Sequence, residues 1–119
     1  MKPRYLLDEH VNSAVQRQLR RLDARIDVFL VGDGEAPPKG TLDPELLIWA
    51  EMNDFVVVSR DVTTLPDHVA THLAAGRHTK GVFWLRRKAT LGDVIESLYL
   101  IWSTSDAEEY IDQSLFIPL

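Results

Sequence analysis

Short apolar runs alternate with segments of helical periodicity along the whole chain, and few folds accommodate that alternation. Apolar runs at 4–7, 26–31, 55–59, 81–85 and 115–117 are bounded by turn-forming residues and read as strands. Between them lie helical patterns. Val11, Val15, Leu19 and Leu22 repeat at helical spacing over 12–22, with Arg17, Arg20 and Arg21 on the wetter side. Asp43-Pro44 starts a helix by an N-capping carboxylate and a first-turn proline, buries Leu46, Leu47 and Ala50, and ends near Asn53. Thr64 and Asp67 are spaced as a capping box ahead of Leu65, Val69 and Leu73, with a stop at Gly76. Thr90 and Asp93 repeat that spacing before Leu91, Val94, Ile95, Leu98, Ile101 and Trp102, and Ser105 with Glu108 caps a last short helix. Strand and helix in strict alternation predict a mostly parallel sheet with helices on both sides, a three-layer α/β/α fold. The run Phe55, Val56, Val57, Val58 is apolar throughout, as a strand covered on both faces requires. Residues 32–40 carry three glycines and two prolines and read as a loop.

A chain of 119 residues is enough for one core and too short for two, so 1–119 reads as a single domain. There is no cysteine, which excludes disulfides and thiolate metal sites. The opening apolar run is far shorter than a signal peptide's core, and none approaches the roughly 20 residues of a membrane span. These features predict a cytoplasmic protein that does not engage membranes. Thirteen Lys and Arg against 18 Asp and Glu leave a net charge of −5, so no basic field of the whole molecule attracts nucleic acid. That argues against a passive nucleic-acid binder more than against a nuclease, whose acids are partly neutralised by cations.

Three acidic positions stand out against this frame. Asp8 and Glu9 close the first strand, Asp61 closes the third, and Asp43 opens the helix between them. Parallel strands all point one way, so carboxylates just past two strand ends meet on one edge of the sheet. Crowded carboxylates repel unless a proton or cation joins them, and oxygen-only ligand sets suit Mg²⁺ or Mn²⁺. If Asp8 and Asp61 share an ion, their strands are neighbours about 4.8 Å apart, which predicts strand order 2-1-3-4-5 with the site at the switch point. Each acid also has a structural role open to it. Asp43 serves as a helix cap worth about 1 kcal/mol, Asp8 caps a turn or the first helix, and Asp61 fixes its turn by accepting backbone N–H bonds.

Leu6, Leu7, Asp8 and Glu9, then Asp43 ahead of Leu46, Leu47, Trp49 and Ala50, then Val57, Val58, Ser59, Arg60 and Asp61 resemble the short PIN-like domains related to toxin nucleases. The resemblance covers about residues 4 to 86. It implies a PIN-like fold and a Mg²⁺- or Mn²⁺-dependent endoribonuclease, with Asp8, Asp43 and Asp61 as catalytic and metal-binding acids and Glu9 as an accessory one. It implies RNA as substrate and, for a toxin of a toxin–antitoxin pair, a cognate antitoxin protein as partner. The chain departs from the pattern at His10, where asparagine is usual, and at Val62, Thr63, Thr64 and Leu65, where aspartate-phenylalanine often follows the third motif. These departures favour the alternative, a non-catalytic PIN-like binding subunit.

Other positions are candidates for substrate contact. Arg60 adjoins Asp61, and Arg86, Arg87 and Lys88 follow the fourth strand on the same edge, where they contact a phosphate backbone or form a solvated loop. His10 contacts phosphate or metal, or simply begins the first helix. His68 and His72 share a zinc-like i, i+4 spacing but lack a third ligand and read as solvated. Trp49, Trp84 and Trp102 lie within apolar patterns and read as core or interface, Trp102 and its helix offering a homodimer surface. A receiver domain shares the acid pattern, but Leu85-Arg86 supplies no Thr or Ser after the fourth strand and residues 116–119 supply no Lys. No Gly-rich loop ending in Lys-Ser or Lys-Thr supports a phosphate-loop nucleotide site.

Overall fold

A computed structural model describes residues 1–119. Strands β1 (Tyr5–Leu7), β2 (Val28–Leu30), β3 (Val56–Ser59), β4 (Val82–Leu85) and β5 (Ser114–Ile117) form one sheet in the order β2-β1-β3-β4-β5, every pairing parallel. The expected order is therefore observed, with the switch between β1 and β3. Helices α1 (Ala14–Leu22) and α4 (Leu91–Thr104) cover one face, and α2 (Asp43–Asn53) and α3 (Leu65–Ala74) cover the other. This is a three-layer α/β/α fold, and its topology is that of PIN-like domains.

Alternation along each strand divides the core in two. Tyr5, Leu7, Val56, Val58, Phe83 and Ile117 point to the α1/α4 side, while Leu6, Val57, Val82 and Trp84 point to the α2/α3 side. Tyr5 is fully buried, and its hydroxyl donates to the Leu98 carbonyl at 2.7 Å, which satisfies a polar group deep in the α4 packing. Trp102 is buried in the same core, its ring flanked by Lys2 and Arg25 at 5.6 and 5.4 Å, so the core reading of that residue holds. Gly81 opens β4 with φ +119°, and a Cβ there would meet Tyr110 at 3.0 Å, so the close approach of the 3₁₀ turn Ala107–Tyr110 depends on that glycine.

Local chemistry departs from expectation at three helix starts. Leu42, not Asp43, is the N-cap of α2; Asp43 is its first residue and makes no capping bond. Thr64 is the N-cap of α3, but its hydroxyl is turned away to Asp61, so no capping box forms there. The box expected at Ser105 and Glu108 forms one residue later, between Asp106 and Glu109. The box at Thr90 and Asp93 forms as expected. In α3 the inward position expected for Leu73 belongs to His72, which is 6% exposed against 36% for Leu73. His72 Nε2 lies 2.9 Å from the His78 carbonyl and 3.1 Å from Glu51 of α2, and these partners draw it inward. The reading of His72 as a solvated residue is thus corrected.

Candidate functional site

The parallel register determines where the acids fall. Leu7 pairs with Val58, and the Asp8 N–H donates to the Val58 carbonyl at 2.9 Å, so β1 and β3 run side by side to the edge. Asp8 follows directly, and a short relay ties it to β3. The buried Ser59 hydroxyl donates to Asp8 Oδ2 at 2.9 Å and accepts from the Asp61 N–H at 3.0 Å. Ser59 was read from sequence only as part of a strand-end motif; its small side chain at the last register position is what allows it to bridge two strands. Asp8 Oδ1 accepts from the Glu9 N–H at 2.8 Å.

Asp61 is occupied locally. Its Oδ1 accepts from the Thr63 N–H, the Thr63 hydroxyl and the Thr64 N–H at 2.9–3.0 Å, and its Oδ2 accepts from the Thr64 hydroxyl. These bonds, the Thr64 hydroxyl first, hold its carboxyl well below the usual range. The turn-fixing role open to Asp61 is therefore one it plays. Thr63 and Thr64 supply all of the donors.

Asp43 differs. With no capping bond to make, its carboxylate faces the cleft lined by Glu9, Thr41 and His68, where His68 Nε2 approaches Oδ2 at 3.9 Å. Burial raises its pKa most; His68 opposes, and the charges of Asp8 and Asp61 raise it further. The three acids thus lie on one edge, near enough to feel one another. They are not gathered into a ligand set: no three acidic or histidine side chains converge on a point where an ion could be held. In donor chemistry the edge fits a hard cation, since it offers carboxylate and hydroxyl oxygens. Asp8 and Asp43 retain unused lone pairs, whereas Asp61 retains them only on Oδ2.

Glu9 is exposed, and its Oε1 accepts from the Gly40 N–H at 3.4 Å, which puts it beside Asp43. His10 is exposed in the turn after Asp8 and lines neither cleft of this edge. Arg60, Arg86 and Arg87 line a second cleft of about 490 Å³ with Val62 and Phe116; Lys88 is exposed and lies outside it. Arg86 is held by its Nε–H to the Pro118 carbonyl at 2.6 Å and stacks over Phe116 at 5.5 Å. His68 belongs to the site although its sequence pattern did not assign it there; only knowing that α2 and α3 start side by side would have found it.

Comparison with known proteins finds no matching family model, no matching curated protein and no matching solved structure. What fold and edge together define is a parallel α/β/α protein of PIN-like topology. No helix is long and apolar enough to cross a membrane.

Proposed function

We propose that this chain is a metal-dependent ribonuclease of the PIN-like type, acting at the edge formed by Asp8, Asp43 and Asp61 with Mg²⁺ or Mn²⁺. One observation carries the reading. Asp43 does not play the capping role that would explain it structurally, and it sits half-buried, its pKa raised by burial and by the charges of two other acids. An acid kept in an unfavourable place without a structural partner is a functional candidate.

A bound divalent ion would supply polarisation of a phosphodiester oxygen and a more acidic water. The chain's own residues do the rest. Ser59 and the Glu9 N–H orient Asp8 by donating to Oδ2 and Oδ1, and each oxygen keeps a free lone pair. Asp43 brings a second carboxylate from α2, and Glu9 brings an accessory one. Asp61 contributes through Oδ2 when the Thr64 hydroxyl turns away. Arg60 and Arg87 attract the phosphate backbone and fix its register along the edge.

The second reading, a non-catalytic binding subunit, is favoured by the four donors that engage Asp61 and by the unassembled ligand set. Calorimetric titration of Mn²⁺ separates the two. The ribonuclease reading expects saturable binding by the wild-type chain that is lost in Asp43→Asn. A wild-type chain that takes up no Mn²⁺ overturns it in favour of the binding subunit.

A further inference from the structure

β5 is the outer strand of the sheet, and it is unevenly covered. The Gln113 carbonyl accepts from the Val82 N–H and the Ile117 carbonyl from the Arg86 N–H, so residues 113, 115 and 117 bond towards β4. In a parallel ladder the alternate residues face the other way, which leaves the N–H and C=O groups of Ser114 and Phe116 directed outwards and unpaired. Side chains follow the same alternation. Leu115 and Ile117 join the α1/α4 core, but β5 contributes nothing to the α2/α3 core. On that second face an apolar groove remains open between α3 and β5, lined by Val62, Val69, Leu73, Trp84 and Phe116. Val62 and Phe116 are 47% and 46% exposed, although both are large and apolar. An unpaired edge beside an open apolar groove is a surface built for another strand.

Charge selects the occupant. Arg86 and Arg87 follow β4 beside the C-terminal end of β5 and form no ion pair, while the segment leading into its N-terminal end stays acidic on balance, Asp106, Glu108, Glu109 and Asp112 facing only the N-terminus and His78 as cationic partners. A strand of the same sequence laid antiparallel sets the basic end of each copy against the acidic end of the other. A polyanionic partner would satisfy only one end.

We propose that the chain forms a two-fold dimer by antiparallel pairing of β5 with β5 of a second copy. The register places Ser114 opposite Phe116 and Leu115 opposite itself. Both Ser114–Phe116 pairs exchange N–H···O bonds, and the small serine leaves room for the facing phenylalanine. The two sheets become one, and the Phe116 rings of both copies fill the joined grooves between the two α3 helices. The interface is isologous, so it closes on itself instead of growing into a filament. This inference is independent of the ribonuclease reading.

Sedimentation of the full chain over a wide concentration range tests it, together with two variants. The wild type is expected to reach twice the 13.5 kDa chain mass, and Phe116→Lys, with its fold checked by circular dichroism, is expected to stay monomeric. Because the chain has no cysteine, Leu115→Cys introduces a single thiol at the self-paired position. Directly opposed residues at such a non-hydrogen-bonded site have Cα atoms about 4.5 Å apart, within disulfide reach. Mild oxidation should therefore convert Leu115→Cys to a covalent dimer while Leu100→Cys, exposed on α4, remains largely uncrosslinked. A wild type that is monomeric throughout overturns the proposal and leaves the groove to a different protein. A dimer that survives Phe116→Lys, or that fails to crosslink through Leu115→Cys, overturns it in favour of another surface.

Discussion

At the N-terminal end of the strands Arg4 pairs with Asp27, Arg25 with Asp23, Lys80 with Asp54, and His78 with Asp112. There too Glu51 gathers Arg77, the His78 N–H and the buried His72. At the C-terminal end the one ion-pair contact is the 3.9 Å approach of His68 to Asp43. Glu9 and Asp43 line one cleft of that end, with Asp8 and Asp61 near enough to act on the Asp43 charge, and Arg60 and Arg87 line a separate cleft. The first end pairs most of its charges within the chain. The second leaves acids and arginines apart, an arrangement that marks a candidate functional site.

The largest effect that would break this contrast is on activity. Asp8→Asn and Asp61→Asn should each lower Mn²⁺-dependent cleavage of RNA by at least about a hundredfold, while thermal unfolding stays cooperative. Asparagine keeps an acceptor for the Ser59 hydroxyl at position 8 and for the Thr63 and Thr64 N–H groups at position 61, so the turn survives. Cleavage unchanged in both variants would mean that the uncompensated end is not where the chemistry happens.

The paired end predicts the opposite behaviour. Glu51→Ala leaves Arg77 and the His78 N–H without their acceptor and His72 with only the His78 carbonyl, and denaturant unfolding should report a loss of about 1–3 kcal/mol with RNA cleavage unaffected. Burial works against the Glu51 charge, but the His78 N–H and Arg77 outweigh it and hold its carboxyl below the ordinary value. A depressed folded-state pKa stabilises the protein above the unfolded value, and that stability fades as pH falls through the folded value. The cost of Glu51→Ala should therefore be full at neutral pH and shrink in acid. A cost that persists undiminished in acid would assign Glu51 a packing role instead.

How much of this could be read from the chain follows from what each signal averages over. The sheet order was legible because strand–helix alternation and two strand-end acids constrain many residues at once. The roles of single side chains were not. Asp43 and Pro44 have the composition of a capped helix start, but the extended backbone of Leu42 takes the cap position and moves the carboxylate one residue inward, into the cleft. Thr64 and Asp67 have capping-box spacing, yet the Thr64 hydroxyl meets a stronger acceptor in Asp61, three residues back. In α3, hydrophobic periodicity points Leu73 inward, but Glu51 of the neighbouring helix rewards an inward imidazole, and a partner on another element leaves no trace in local spacing. Likewise, the acids are predicted to share an edge from topology alone. Whether their oxygens face a common point depends on rotamers, and Thr63 and Thr64 turn Asp61 aside.

The smallest expected effect is the most discriminating, because two forces on Asp43 oppose each other. At the first position of α2 its negative charge is favoured by the helix dipole, an interaction worth about 0.3–1 kcal/mol. Burial and the nearby charges of Asp8 and Asp61 act against it and raise its pKa, with His68 opposing them. A group whose folded-state pKa lies above its unfolded value stabilises the fold when protonated, and that contribution is lost as pH rises through the folded value. Ionised Asp43 should therefore weaken the apo protein at neutral pH, and Asp43→Asn should raise its melting temperature by about 1–3 °C. The gain should vanish in acid below the unfolded pKa, where both side chains are neutral. Added Mn²⁺ should reverse the order, because an ion that binds only the folded wild type stabilises it by mass action and leaves Asp43→Asn unchanged. A variant less stable than wild type without metal would mean that the dipole term prevails and that Asp43 belongs, after all, to the architecture of its helix.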